Sequence, residues 1–137
     1  MIQSNIGRRE TVNSPVNTYL QQQVSTVSQE KLVLMLYDGE IKFLKKALES
    51  IAAKNIQEAH YNILRAQDIL MGLMSGLNMS TGQIAENLFN LYEYMHSRLV
   101  EANIYKDTSI IEEVLTMIID LRNTWNQILK TTKVVNQ

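Results

Sequence analysis

Along most of the chain the apolar residues return every three or four positions and seldom alternate, which is the period of an α-helix and not of a strand. Ser28 precedes the first such run, can cap its free amides, and has Glu30 in the favourable first turn, so a first helix is predicted from after Ser28 to about Ala53. Asn55 and Glu58 have the spacing of a reciprocal capping box and open a second helix, Ile56 to about Leu77. Asn78-Met79-Ser80-Thr81-Gly82 reads as a turn. A third helix follows from Gln83 to about Asn103, and Asp107 or Ser109 with Glu112 starts a fourth that fades near Lys130. Four such helices with short connections predict an all-α, antiparallel up-and-down four-helix bundle over residues 28–131. Residues 132–137 are expected to fray. Residues 1–27 are polar apart from Val16, Tyr19, Leu20, Val24 and a few others, and are expected to form a mobile N-terminal arm.

The apolar stripes are wider than a bundle needs. One helix facing its neighbours requires little more than about 100° of apolar arc, yet helix one sweeps roughly 200° and helix two roughly 220°. Helix three points Ile84, Leu88, Leu91, Met95, Leu99 and Ala102 inward, and Phe89 and Val100 widen its stripe toward His96. A large apolar side chain left in water forgoes roughly 1.5–3 kcal/mol, so surplus on three helices predicts a binding groove or an oligomer interface, unless the helices are simply well buried. Seven methionines among 137 residues fit an adaptable groove lining. Met35 sits on the polar side of helix one, where a core explanation fails.

Composition narrows the chemistry. The absence of cysteine removes disulfides, zinc-thiolate sites, iron–sulfur clusters and thiol nucleophiles. Thirteen basic and 14 acidic residues leave a net charge of −1, which argues against gripping nucleic acid or an anionic membrane by bulk charge. No apolar run is long enough to span a bilayer and no signal sequence is evident, so a soluble, cytoplasmic protein is expected. His60 and His96 lack partners for acid–base or nucleophilic catalysis at readable spacing. Glu93-Tyr94-Met95-His96 is an E-x-x-H pair of the type that di-iron bundles use, but such a site needs two copies and inward-facing glutamates. Lys42, Lys45 and Lys46 read as a solvated face, and Trp125 as a core anchor on helix four with Val114, Ile118, Leu121 and Ile128. Neither a cofactor, a metal nor an enzymatic activity is expected.

Val24-Ser25-Thr26-Val27-Ser28 leading into Leu32-Val33-Leu34-Met35-Leu36-Tyr37-Asp38-Gly39, then Glu86-Asn87-Leu88-Phe89-Asn90-Leu91-Tyr92-Glu93-Tyr94-Met95 and Leu99-Val100-Glu101-Ala102-Asn103, with a tryptophan in the last helix, closely resemble the FliS family of flagellar export chaperones. The resemblance runs from about Tyr19 to Leu129; Gln29 stands where many relatives have proline after the capping serine. It implies a cytosolic chaperone that binds the disordered carboxy-terminal segment of flagellin in an extended, partly helical wrap. The chaperone would prevent premature polymerisation and keep the subunit competent for type III export, without consuming nucleotide. In such proteins the amino-terminal arm can fold over the empty groove, and Tyr19, Leu20 and Val24 are the residues here that would do so.

Surplus apolar character and membership of these motifs together nominate Leu34, Met35, Tyr37, Ile41 and Leu48 on helix one, Ile69 and Met71 on helix two, and Phe89, Tyr92 and Val100 on helix three as the client groove. For each, core packing is the competing assignment. Asp38 and Gly39 are expected to serve structure, Gly39 by admitting a neighbouring backbone. An export-gate component, a regulator or a co-chaperone is a further candidate partner, and monomer and homodimer are both compatible with the sequence. The alternatives are a self-associating structural bundle and a di-metal oxidoreductase.

Overall fold

The computed structural model describes residues 28–135, with side chains through 131, and contains α1 (Gln29–Ala52), α2 (Ile56–Ser75), α3 (Gln83–Tyr105) and α4 (Thr108–Val135), with a short 3₁₀ turn, Met79–Thr81, between α2 and α3. The chain divides into two units, and of the first only residues 28–32 are described: they start α1, and the Lys31 amide donates to Ser28 Oγ at 3.2 Å. The packing that follows lies in the second unit, from Val33 onward.

Local chemistry explains the boundaries. Asn55 Oδ1 accepts from the Glu58 amide at 3.2 Å, which is half of the expected capping box. The Asn55 amide donates instead to the Ser50 carbonyl at 2.8 Å, so the three-residue connection after α1 is tied to both helices. The turn before α3 ends at Gly82, whose φ of 97° a side chain would strain. Lys106 takes the left-handed conformation that stops α3, and its Nζ donates to the Asn103 carbonyl at 2.6 Å and to Asn103 Oδ1 at 2.9 Å. Asp107, not Ser109, caps α4: its Oδ1 accepts from the Ser109 amide and hydroxyl, bonds that hold the carboxyl below the usual aspartate range. The fourth helix runs to Val135, beyond its expected end near Lys130.

Contacts between distant residues set the path. Asn62 on α2 donates to Ser50 on α1, and Ile69 lies against Gly39, so α1 and α2 run antiparallel. His60 on α2 meets Asn103 on α3, Arg98 on α3 meets Glu113 on α4, and Arg122 on α4 meets Asp38 on α1. His60 near the start of α2 thus meets the end of α3, and Arg98 in the last third of α3 meets the first turns of α4, as in the up-and-down bundle that the sequence predicts. Tyr37 and Tyr92 join α1 and α3 across the middle through their hydroxyls, with ring centroids 6.4 Å apart.

The core is built from stripes at helical spacing: Tyr37, Leu44 and Ala47 on α1; Ile63, Ala66, Leu70 and Leu73 on α2; Tyr92, Met95, Leu99 and Ala102 on α3; Ile110, Ile111, Val114 and Ile118 on α4. Trp125 packs against its edge, as the anchor reading required. Ile84 and Ile128, expected to point inward, are exposed. Ile84 lies in the first turn of α3, where Ala85 and Leu88 take the inner positions, and on α4 Leu121 and Trp125 pack on the core in place of Ile128. Gly39 does admit a close neighbour, but it is the side chain of Ile69 and not a backbone: a Cβ there would meet Ile69 Cδ1 at 3.3 Å. Glu40 is wholly buried with neither carboxylate oxygen hydrogen-bonded, and burial pushes its carboxyl well above the usual glutamate range.

Candidate functional site

With α1 to α4 in a ring, four seams separate adjacent helices, and their chemistry differs. The seam between α1 and α2 is packed where Ile69 meets Gly39 and is crossed by the buried Asn62–Ser50 hydrogen bond, beyond which a pocket of about 290 Å³ opens among Lys46, Glu49, Ser50, Ala53, Asn55, Glu58 and Asn62. The seam between α3 and α4 is closed by charge: Arg98 Nε donates to Glu113 at 2.9 Å and Arg98 also pairs with Glu101, while the Tyr94 hydroxyl donates to the other Glu113 oxygen. The Tyr94 hydrogen bond first, and then Arg98, holds the Glu113 carboxyl below the usual range.

The seam between α2 and α3 is apolar and open. Helical spacing puts Ile56, His60, Leu64, Gln67 and Met71 on one face of α2, and Phe89, Glu93, His96, Val100 and Ile104 on one face of α3. A cleft of about 450 Å³ lies between them, lined by His60, Leu64, Gln67, Val100, Asn103, Ile104 and Lys106. Ile104 is 68% exposed, Met71 55% and Val100 40%, so apolar area continues along both helices. From Ile56 to Met71 the furrow extends about 22 Å at 1.5 Å per residue. Its polar groups form a small network: Asn103 Oδ1 accepts from Lys106, leaving the Asn103 amide nitrogen to donate to His60 Nδ1 at 2.9 Å. That bond places the proton of a neutral His60 imidazole on Nε2.

On the opposite side, between α4 and α1, lies a second apolar stripe. Leu34, Ile41 and Leu48 lie on one face of α1 with Asp38, and Leu115 and Ile119 on one face of α4 with Arg122. All five apolar residues are half-buried, and the Asp38–Arg122 ion pair at 2.8 Å bridges the stripe near its middle.

The structure therefore sorts the ten groove candidates. Met71, Phe89 and Val100 share the α2–α3 furrow, and Leu34, Ile41 and Leu48 share the α4–α1 stripe, where Ile41 and Leu48 also pack on the core. Met35 is 65% exposed on the outer side of α1, away from both. Ile69 serves the α1–α2 seam. Tyr37 and Tyr92 are corrected: both are core residues, at 1% and 2% exposure, and burial raises both hydroxyls above the usual tyrosine range. The Tyr37–Tyr92 hydrogen bond is what lets two hydroxyls enter the core. Tyr19, Leu20 and Val24, the candidate groove cap, lie outside the described residues. The sequence reading missed Leu64, Gln67 and Ile104 as groove residues; Ile104 falls just past the expected end of its helix at Asn103, and Gln67 is polar, so an apolar criterion passed it over.

Glu93 is exposed and His96 half-buried, and among the described residues no three His, Asp or Glu side chains are grouped to hold a metal ion. No helix among the described residues is long and apolar enough to cross a membrane.

Comparison with known proteins places this geometry in context. The model of a family described as flagellar protein FliS matches residues 12–132. The chain is similar to the flagellar secretion chaperone FliS of Bacillus subtilis (strain 168), with 32% identity over 120 residues, covering 88% of this chain and 90% of the relative. It is similar to flagellar secretion chaperone FliSB of Pseudomonas aeruginosa, with 34% identity over 110 residues and coverage of 80% and 87%, and to FliS of Escherichia coli (strain K12), with 33% identity over 108 residues and coverage of 77% and 79%.

Proposed function

The chain belongs to the FliS family of flagellar secretion chaperones, and from that premise we propose that it binds the disordered carboxy-terminal segment of flagellin in the cytosol, blocks its premature polymerisation and holds it ready for type III export. The activity is binding, with no covalent step. The observation that carries this reading is the pair of apolar stripes on opposite sides of one bundle, α2–α3 and α4–α1, while the α3–α4 seam is closed by charge and the pocket in the α1–α2 seam is lined mostly by polar and charged residues. One folded partner cannot cover both stripes without enveloping the bundle, whereas an extended chain with amphipathic stretches reaches both by wrapping round it. Such a chain is disordered when free, and ordering it costs several kcal/mol, which a large apolar contact must offset.

Isothermal titration with a synthetic peptide of the flagellin carboxy-terminal segment tests the proposal. Saturable 1:1 binding with a negative heat-capacity change and a gain of helicity is expected. Absence of binding, together with a sedimentation profile in which the chain alone forms a stable oligomer covering these stripes, would overturn it in favour of a self-associating bundle.

A further inference from the structure

Resting on the flagellin reading, we propose that the client sets a carboxylate against Lys106 and His60, at the end of the cleft where α3 stops and α2 begins, with apolar residues beside it. His60 Nδ1 accepts from the Asn103 amide nitrogen at 2.9 Å. Lys106 Nζ donates to the Asn103 main-chain carbonyl at 2.6 Å and to Asn103 Oδ1 at 2.9 Å. Gln67 is also a lining residue, but its Oε1 is sealed from solvent. The side-chain acceptors of these lining residues are therefore hydrogen-bonded or out of reach. What the network leaves unused are donors: the Nε2–H of His60, an exposed residue, and the third N–H of the Lys106 ammonium.

Lys106 also carries the one formal charge among the described residues that line the cleft. Helix ends do not override it: α3 ends and α2 begins here, so a negative and a positive dipole pole oppose each other. The adjoining acid, Asp107, is engaged with the Ser109 amide and hydroxyl at the start of α4. A free lysine loses rotamer freedom when it pairs, whereas two bonds to Asn103 already fix this ammonium. The matching occupant is an amphipathic segment that lays apolar residues over Leu64, Val100 and Ile104 and ends on one carboxylate. Its apolar part excludes water and so strengthens the charged pair, while a lysine or arginine in that place would meet like charge. The lysine thus fixes the register of the client as well as its affinity. An Asp or Glu side chain and the client's own chain end present the same chemical group.

Titration calorimetry with the synthetic flagellin peptide tests this. Peptides in which each Asp or Glu is replaced singly by Asn or Gln, and one with an amidated carboxy terminus, separate the two sources of the carboxylate. One of them should bind the wild-type chain about tenfold more weakly than the parent peptide, and the Lys106→Met chain no more weakly, which closes a double-mutant cycle. Lys106→Met should itself lower affinity for the parent peptide about tenfold and flatten the fall of affinity with salt, while Lys106→Arg keeps both within about twofold. A lysine that only braced the end of α3 would leave the salt dependence unchanged and would couple to no peptide carboxylate. The peptide series is read on the wild-type chain, so it decides even where Lys106→Met melts early. Failure of the wild-type chain to bind the parent peptide overturns the flagellin reading itself. Binding within about threefold for every neutralised peptide, or a loss equal in the wild-type and Lys106→Met chains, overturns the carboxylate assignment alone.

Discussion

Helix α3 forms a seam on each side, and the two seams are opposites. Toward α4 it presents Tyr94 and Arg98, whose polar atoms meet Glu113 and Glu101 within the same chain. Toward α2 it presents Val100 and Ile104 over Leu64. Both seams are half-exposed, so burial alone does not distinguish them. A seam that already satisfies its own charges gains nothing from a guest, because any guest must first break ion pairs; an apolar seam gains the transfer free energy of whatever covers it. The difference teaches that an interaction surface is recognised by unspent chemistry, and that a helix can carry a spent face and an unspent one a third of a turn apart.

The strongest way to break this comparison is Val100→Glu combined with Ile104→Glu. Both side chains are exposed, so far-UV circular dichroism and melting should hardly change. Affinity for the flagellin peptide should fall at least about 100-fold, since two charges would have to be desolvated on binding. A loss below about threefold in titration calorimetry would place the client elsewhere.

Next in size is Glu40→Leu, which asks whether stability resides in the core and not in the open seam. Burial holds the Glu40 carboxyl protonated well above its ordinary range, and the other titratable groups in the core are the hydroxyls of Tyr37 and Tyr92, likewise raised. An unfolded chain releases the Glu40 proton from the ordinary carboxylate range upward, while the folded chain keeps it until its own raised value is reached. The penalty is therefore absent on the acid side and grows as pH rises through that window. Urea midpoints of the wild-type chain should fall from pH 5.5 to 8.5 more steeply than those of Glu40→Leu. At neutral pH the variant should gain about 1–3 kcal/mol with unchanged peptide affinity. Parallel pH profiles would show that Glu40 has a partner.

Arg98→Met sharpens the contrast from the closed side: peptide affinity should stay within about twofold of wild type, and thermal melting should register a small loss that shrinks in high salt. A large drop in affinity would mean that the α3–α4 seam also contacts the client. The smallest effect belongs to Tyr94→Phe. Removing the hydroxyl that contributes first to the low Glu113 value should move the Glu113 carboxyl back toward its ordinary range in an NMR titration, with peptide binding unaltered. An unmoved titration would assign the depression to Arg98.

How much of this was legible beforehand can be argued from particular residues. The helix starts at Asn55 and Asp107 were readable because a cap is made by residues two or three positions apart, and the structure shows those bonds. Val100, Phe89 and Met71 were readable as surplus apolar residues, and they fall on one furrow. Tyr37 and Tyr92 were misplaced because each hydroxyl finds its partner 55 residues away, a pairing that no local pattern announces. Gln67 was passed over because it is polar, and its place in the cleft lining is visible only once α2 and α3 are packed together. Ile84 and Ile128 were assigned inward by wheels that run on uniformly, whereas the inner positions near them are taken by Ala85 and Leu88 and by Leu121 and Trp125.

By itself, then, the sequence determined the number of helices, their approximate limits, the excess of apolar surface and the family, since these depend on spacing and capping within a few turns of chain. Which apolar face closes and which stays open was decided only in the tertiary structure. That outcome depends on how far each helix is rotated about its own axis when Ile69 settles over Gly39 and Tyr37 reaches Tyr92, and such rotations are set by the packing of all four helices at once.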